Sequence, residues 1–290
     1  MKELKAAAIY FAEGAGNILR RYYHSSITIS EKGPNDLVTN ADRESEQFII
    51  ENIQKEFSDH AILGEESGHF KKNGPYRWVI DPLDGTTNFA HKWPHFCVLI
   101  AVQQETSADN YQTIVGVTLD PLRNELFVAE KDAGSFLNDS KITVSPIRSL
   151  FSSIVTTGFA YKRLWQENDN HREFCRMNLV TQGARRAGSA GLDLAYIACG
   201  RAEAFWEYAL NPWDVAPGVL LVQEARGMVS NLDGEAFDVS QGHIVASNGH
   251  VHQATLDALQ SCRELPANSR AGIGVHLPQE ISNKLQNSLI

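Results

Sequence analysis

Apolar residues Leu4, Ala8, Phe11, Ala15, Ile18 and Tyr22 recur every three or four positions, which puts them on one face of a helix over about residues 2–24. Lys2 and Lys5 ahead of Ala6–Ala12 imitate a leader, but Glu13 ends that apolar run while the helical period continues, so a mature helix is expected. Thr39-Asn40-Ala41-Asp42, a hydroxyl followed three residues later by an acid, announces a second helix over about 40–57. The period then falls to two, predicting short strands at about 61–64, 77–81, 95–104, 113–119 and 125–130. From Ser152 onward strand and helix patterns alternate: 154–157, 171–179, 190–199, 203–206, 212–225, 244–246 and 250–265.

This ordering predicts an α/β protein with an α+β first half and an α/β second half. The change of pattern near Ser145-Pro146 divides it into 1–146 and 147–265. Residues 266–290, with Asn268, Ser269, Gly272 and Gly274 and a short helical pattern near 279–289, read as a mobile tail.

Composition excludes several classes. Hydrophobic residues at 43% and charged residues at 21% are those of an ordinary globular chain. The longest apolar run, Phe96–Val102, falls well short of the roughly 18 residues of a spanning helix, so no membrane partner is expected. The net charge of −9 disfavours nucleic acid as the main partner and repels anionic lipid. A protein this acidic needs metal ions or aimed backbone amides to hold an anionic substrate. Cys97, Cys175, Cys199 and Cys262 lie far apart with no Cys-x-x-Cys pair, which points to reduced thiols and a cytoplasmic setting.

The candidate chemistry lies in Asp81-Pro82-Leu83-Asp84-Gly85-Thr86-Thr87-Asn88. Arg77-Trp78-Val79-Ile80 reads as a buried strand that Pro82, lacking an N–H, brings to an end just after Asp81. Either aspartate alone suits a turn or a cap. Two of them three residues apart place like charges close together, a cost that a cation between them removes. Ala61-Ile62-Leu63 runs into a second acidic turn, Gly64-Glu65-Glu66-Ser67, from which Glu65 could join the same site while Glu66 stays solvated. A third acid, Asp214, follows Asn211-Pro212 at a helix start, where by itself it would complement the helix dipole.

No histidine or cysteine accompanies these acids at ligand spacing. His91 and His95 are separated by Trp93-Pro94 and read as loop residues. All-oxygen donors select Mg²⁺, Mn²⁺ or Ca²⁺, and magnesium is the physiological choice. A phosphorylated aspartate two residues before Asp-Gly-Thr is excluded, because Pro82 stands there; water activated by metal remains as nucleophile.

Through Gly64-Glu65-Glu66-Ser67, Asp81 to Phe89 and Trp213-Asp214-Val215-Ala216, the sequence resembles the inositol monophosphatase family over about residues 5–262. The resemblance implies a layered αβαβα sandwich of the inositol monophosphatase and fructose bisphosphatase type. It implies that Glu65, Asp81, Asp84, Asp214 and the Leu83 carbonyl hold two to three magnesium ions, with manganese able to substitute. Most of these ligands fall in the first half. Asp42 and Thr86 would orient the attacking water, with Glu65 joining them as a catalytic residue.

The phosphate would lie on the amides of Gly85 and Thr86. Gly188 and Ala190 would approach ring hydroxyls of the substrate, and Glu207 would bind one; its other reading is an exposed acid at a strand end. The family also implies a small phosphorylated metabolite as partner, myo-inositol monophosphate first, with fructose 1,6-bisphosphate, adenosine 3′,5′-bisphosphate, histidinol phosphate or NADP as alternatives. Lithium sensitivity and a homodimer complete the expectation. A regulatory binding protein with a vestigial site is the reading from another class. Departures from the family pattern are Glu224-Ala225-Arg226-Gly227, in place of a double glycine, and Lys32 in a loop taken as mobile.

Overall fold

The computed structural model describes residues 1–33, 36–70, 74–107, 110–160 and 169–263. The expected tail at 266–290 and the Pro34-Asn35 step after Lys32 therefore lie outside the described residues. Helix α1 (Lys2–Tyr23) follows the apolar period. Strands β1 (Ile29–Gly33) and β2 (Asp36–Thr39) then form an antiparallel hairpin that the pattern did not announce, because β1 faces water and carries no apolar alternation. Lys32 thus stands on a paired strand. Helix α2 (Asn40–Glu56) starts at the expected cap, with Thr39 and Asp42 forming a reciprocal box.

A mixed sheet follows, made of β3 (Ala61–Gly64), β4 (Gly68–Phe70), β5 (Tyr76–Asp84), β6 (Cys97–Ser107) and β7 (Asn110–Asp120). It is completed by β8 (Glu125–Glu130), β9 (Gly134–Leu137) and β10 (Ser140–Ile142). The strand order is β10-β9-β8-β7-β6-β5-β3-β4, and the short helix α3 (Thr86–Ala90) leaves the end of β5.

The second half contributes β11 (Ile154–Thr157), α4 (His171–Val180), β12 (Gly183–Arg185), α5 (Ala190–Ala198) and β13 (Ala204–Glu207). It ends in α6 (Pro212–Glu224), β14 (Met228–Ser230), β15 (Ile244–Ser247) and α7 (His252–Arg263). Its five strands lie in the order β12-β11-β13-β15-β14.

Packing makes five layers of these parts. Helices α1 and α2 cover one face of the large sheet, α5 and α6 pack between the two sheets, and α4 and α7 cover the far face of the small one. Alternation along β13 shows why the inner helices are nearly all apolar: Phe205 points into the core shared with α5 and α6, while Trp206 points into the outer core with Met177 and Leu259. The α/β class and the αβαβα layering are as expected.

Strand β5, by contrast, does not stop at Asp81. It continues to Asp84, with Asp81 opposite Leu99 and Asp84 opposite Cys97, so Pro82 and Leu83 together face Val98 alone. A bulge absorbs the missing proline N–H that the sequence reading took as a terminator. That extra residue kinks the strand where both aspartates are carried.

Candidate active site

The cleft is built from the ends of elements belonging to different layers. Asp81, Leu83 and Asp84 come from the β5 bulge, Gly85 and Thr86 from the turn into α3, Glu65 from the end of β3, and Asp214 from the first turn of α6. Gly188 and Ala190 line the opposite wall beside Glu207 at the end of β13. Asp42 does not line the cleft. It lies behind Thr86, whose hydroxyl donates to Asp42 Oδ1 at 3.1 Å or to the Leu83 carbonyl at 3.0 Å.

Each acid is held by local donors. The Thr39 N–H (2.9 Å) and hydroxyl (2.5 Å) both donate to Asp42 Oδ2, so the capping reading holds and leaves Oδ1 for Thr86. Asp81 Oδ1 accepts from the Leu83 N–H at 2.9 Å. Asp84 Oδ2 accepts from the Ser189 hydroxyl at 2.6 Å and the Gly191 N–H at 2.7 Å, which joins β5 to the start of α5. Asp214 Oδ2 accepts from the Asn211 N–H at 2.7 Å. Glu65 pairs with Lys32 Nζ at 2.9 Å, and the same ammonium pairs with Glu66, so that acid is not simply solvated.

Mutual repulsion shows how close the acids stand. Burial first, then the charges of Glu65, Asp84 and Asp214, push the Asp81 carboxyl well above its usual range. Burial likewise raises Asp214 against the pull of Asn211, with Asp84 and Glu65 adding to the rise. Asp84 is raised by burial although Ser189 and Gly191 oppose it. Asp42 is pushed up to about 7, chiefly by burial. Glu207 is pushed up to about 8 by burial and by Asp214 and Asp84, with Arg186 pulling the other way. It is only 8% exposed, so it is not a solvent-facing strand end.

Two glycines make this geometry possible. Gly85 has φ +94°, which a side chain rarely adopts, and a Cβ there would stand 3.0 Å from the His95 carbonyl. At Gly158 a Cβ would fall 2.1 Å from the Glu207 carboxylate, so the acid lies directly on that backbone.

The donor set fits a hard divalent cation: four carboxylates and a backbone carbonyl, with no sulfur or imidazole among them. Among the described residues no three His, Cys, Asp or Glu side chains are arranged as a ready metal shell, and Glu65 is engaged by Lys32. Sequence reasoning missed several contributors. Ser189 was read only as a cap, and it does cap Leu192 N–H at 3.4 Å while also holding Asp84. Asn88 Nδ2 donates to the carbonyls of His95 (2.7 Å) and Ala187 (2.9 Å), tying the substrate-side turn to the loop after α3. Asp193, 1% exposed, carried a legible signal as the one charge in the apolar run Ala190–Ala198.

Hard-oxygen donors gathered beside a buried hydroxyl–carboxylate pair, at the meeting point of two sheets, suit the chemistry of a phosphatase. The sequence matches the inositol monophosphatase family over residues 1–264, and the chain belongs to that family. It is 47% identical over 233 residues to the inositol-1-monophosphatase of Synechocystis sp., covering 80% of this chain and 79% of that one. It is 42% identical over 268 residues to the Nus factor SuhB of Pseudomonas aeruginosa, covering 90% and 97%. The structure of the inositol monophosphatase from Anabaena (Nostoc) sp. superposes with a TM-score of 0.82 at 38% identity, over 93% of this chain and 98% of that one. Among the described residues no helix is long and apolar enough to cross a membrane.

Proposed function

We propose that the chain hydrolyses a small phosphate monoester, myo-inositol monophosphate first, to the alcohol and inorganic phosphate. The observation that carries this reading is the convergence of Glu65, Asp81, Asp84 and Asp214, from β3, β5 and α6, beside the Thr86–Asp42 pair. Glu65, Asp81, Asp84, Asp214 and the Leu83 carbonyl would hold magnesium, which when bound supplies charge neutralisation for the phosphoryl group and a lowered pKa for water.

The chain's own residues supply the remainder. Asp42, with its carboxyl near 7, accepts the proton that Thr86 relays from the attacking water. The amides of Gly85 and Thr86 open α3, where helix N–H groups lack partners of their own, and they hold phosphate oxygens there. Glu207, with Gly188 and Ala190 along the same wall, receives the hydroxyl-bearing body of the alcohol.

Phosphate release is expected to rise with added magnesium and to vanish in excess EDTA; release that persists in EDTA sinks the metal assignment. A panel of inositol monophosphate, fructose 1,6-bisphosphate, adenosine 3′,5′-bisphosphate, histidinol phosphate and NADP tests the substrate. Inositol monophosphate turning over far more slowly than another member replaces the first choice.

The unbridged state of all four cysteines supports a cytoplasmic setting. The family resemblance supports lithium inhibition and a homodimer, which a lithium titration and light scattering check. The relative named as a factor supports a second reading, a regulatory binding protein with a vestigial site. A complete acid set, still held in place by Thr39, Ser189 and Asn211, argues against decay.

A further inference from the structure

Glu207 ends β13 and Asp214 stands in the first turn of α6, so the turn between them sets how the substrate wall meets the acid set. That turn is strained. Ala209, which lines the cleft, has φ +57°, in the left-handed region that a residue with a Cβ occupies only at a cost. Strain of this kind persists only where neighbouring contacts impose it.

The contacts come from the segment that enters β15. Strands β13 and β15 pair antiparallel up to Glu207 opposite Ile244, and beyond that pair three consecutive residues still meet Gly242 and His243. The Leu210 N–H donates to the Gly242 carbonyl at 2.8 Å. The Ala209 N–H donates to His243 Nδ1 at 3.2 Å, and the Tyr208 ring meets the His243 ring edge-on with centroids 5.8 Å apart. Gly242 permits this approach, because a Cβ there would stand 2.5 Å from the Leu210 carbonyl oxygen. Of the two hydrogen bonds, only that from Ala209 ends on a side chain, so it depends on which residue stands at 243. An imidazole accepts there only through an unprotonated Nδ1, which places the ring proton on Nε2.

We propose that His243 is a positioning residue for the substrate wall: by accepting the Ala209 N–H it holds the left-handed turn, and with it the placement of Glu207 relative to Asp214. The inference rests on the phosphatase reading, in which Glu207 receives a hydroxyl of the substrate alcohol. Released from His243, Ala209 relaxes toward negative φ, the turn shifts, and Glu207 meets that hydroxyl less often. His243 itself is not among the described residues lining the cleft, so it acts through the backbone.

Two substitutions separate the acceptor from the ring. His243→Asn keeps an acceptor oxygen about where Nδ1 stands and loses the ring, whereas His243→Phe keeps a ring against Tyr208 and loses the acceptor. The first arm of the test follows amide hydrogen exchange at Ala209 by NMR, on the full chain in EDTA. Exchange about threefold or more faster is expected in His243→Phe and little change in His243→Asn. Unchanged exchange in His243→Phe overturns the proposal, as does equal acceleration in both variants.

The second arm measures kcat and KM for inositol monophosphate in magnesium. Loss of one neutral hydrogen bond predicts a KM about three- to tenfold higher in His243→Phe, with kcat within about twofold, and parent-like values in His243→Asn. Adding Ala209→Gly to His243→Phe should recover part of the KM, since glycine takes left-handed φ freely. An unchanged KM or a fall in kcat alone in His243→Phe overturns the positioning role. So does a KM equally high in His243→Asn, or no recovery on adding Ala209→Gly. Absence of phosphate release by the parent protein sinks the phosphatase reading and leaves the exchange comparison to decide whether His243 holds the turn, so the two failures are distinct.

Discussion

Asp42 at the start of α2 and Asp214 at the start of α6 occupy the same helical position, third after the cap, and each returns one carboxylate oxygen to its cap residue. Their second oxygens have different surroundings. Asp42 is fully buried, and its Oδ1 takes the Thr86 hydroxyl of α3. Asp214 meets the charges of Asp84 and Glu65, and among the described residues no donor reaches its Oδ1. On the proposed function, the same local motif would serve proton transfer in one half and the acid set of the cleft in the other. A capping box commits one oxygen, and the neighbours brought by the fold decide what the other does.

The widest test of this difference is Asp214→Asn. The amide oxygen still accepts the Asn211 N–H, so the melting temperature should hold. Phosphate release should nonetheless fall about 10³-fold, because a charge facing the phosphoryl group is gone. A loss below tenfold would make Asp214 a cap and nothing more.

Thr86→Val, which keeps the shape and removes the hydroxyl, should lower kcat about 10²-fold with little change in KM. Burial holds Asp42 near 7, so its base form is present above that pH and activity should rise through it. Losing the Thr86 donor should move that limb upward; a limb that stays in place separates Thr86 from Asp42.

The smallest effect concerns the opposite wall and is read as stability in EDTA. Unfolded, Glu207 ionises near the ordinary value of 4.5, whereas the folded protein keeps it protonated to about 8. Between those values the unfolded chain binds fewer protons, so Glu207 lowers stability as pH rises. Glu207→Gln removes this penalty and should raise stability at pH 8 by roughly 1 kcal/mol or more, about 2–4 °C in melting temperature, with little change at pH 4. Equal shifts at both pH values would show that charge is not the cause.

Legibility followed the range of the interaction. The cap at Thr39–Asp42, the Asn211-Pro212 helix start and the Asp81-Pro82-Leu83-Asp84 run depend on residues within a few positions, and they were visible as spacing. The bulge at Pro82 was read as a strand end because a missing N–H ends a ladder unless the partner strand accommodates it, and that partner, β6, is distant in sequence. The β1–β2 hairpin was invisible because a solvated strand needs no apolar alternation. Ser189 reaching Asp84 across 105 positions, and Asn88 reaching Ala187 across 99, have no counterpart in any local pattern.

Taken by itself, the sequence determined the helices with an apolar stripe, the two-part ordering of strands and helices, and the residue types able to hold a hard cation. Periodicity and short-range capping act along the chain, and their energetics need no distant partner. The tertiary structure alone decided which acids meet, that Glu65 answers to Lys32, and that Glu207 is buried on Gly158. It also decided that arginines from three separate segments share one cavity beside six carboxylates. Charge and burial act through space, so their outcome is set only once the two sheets close around α5 and α6.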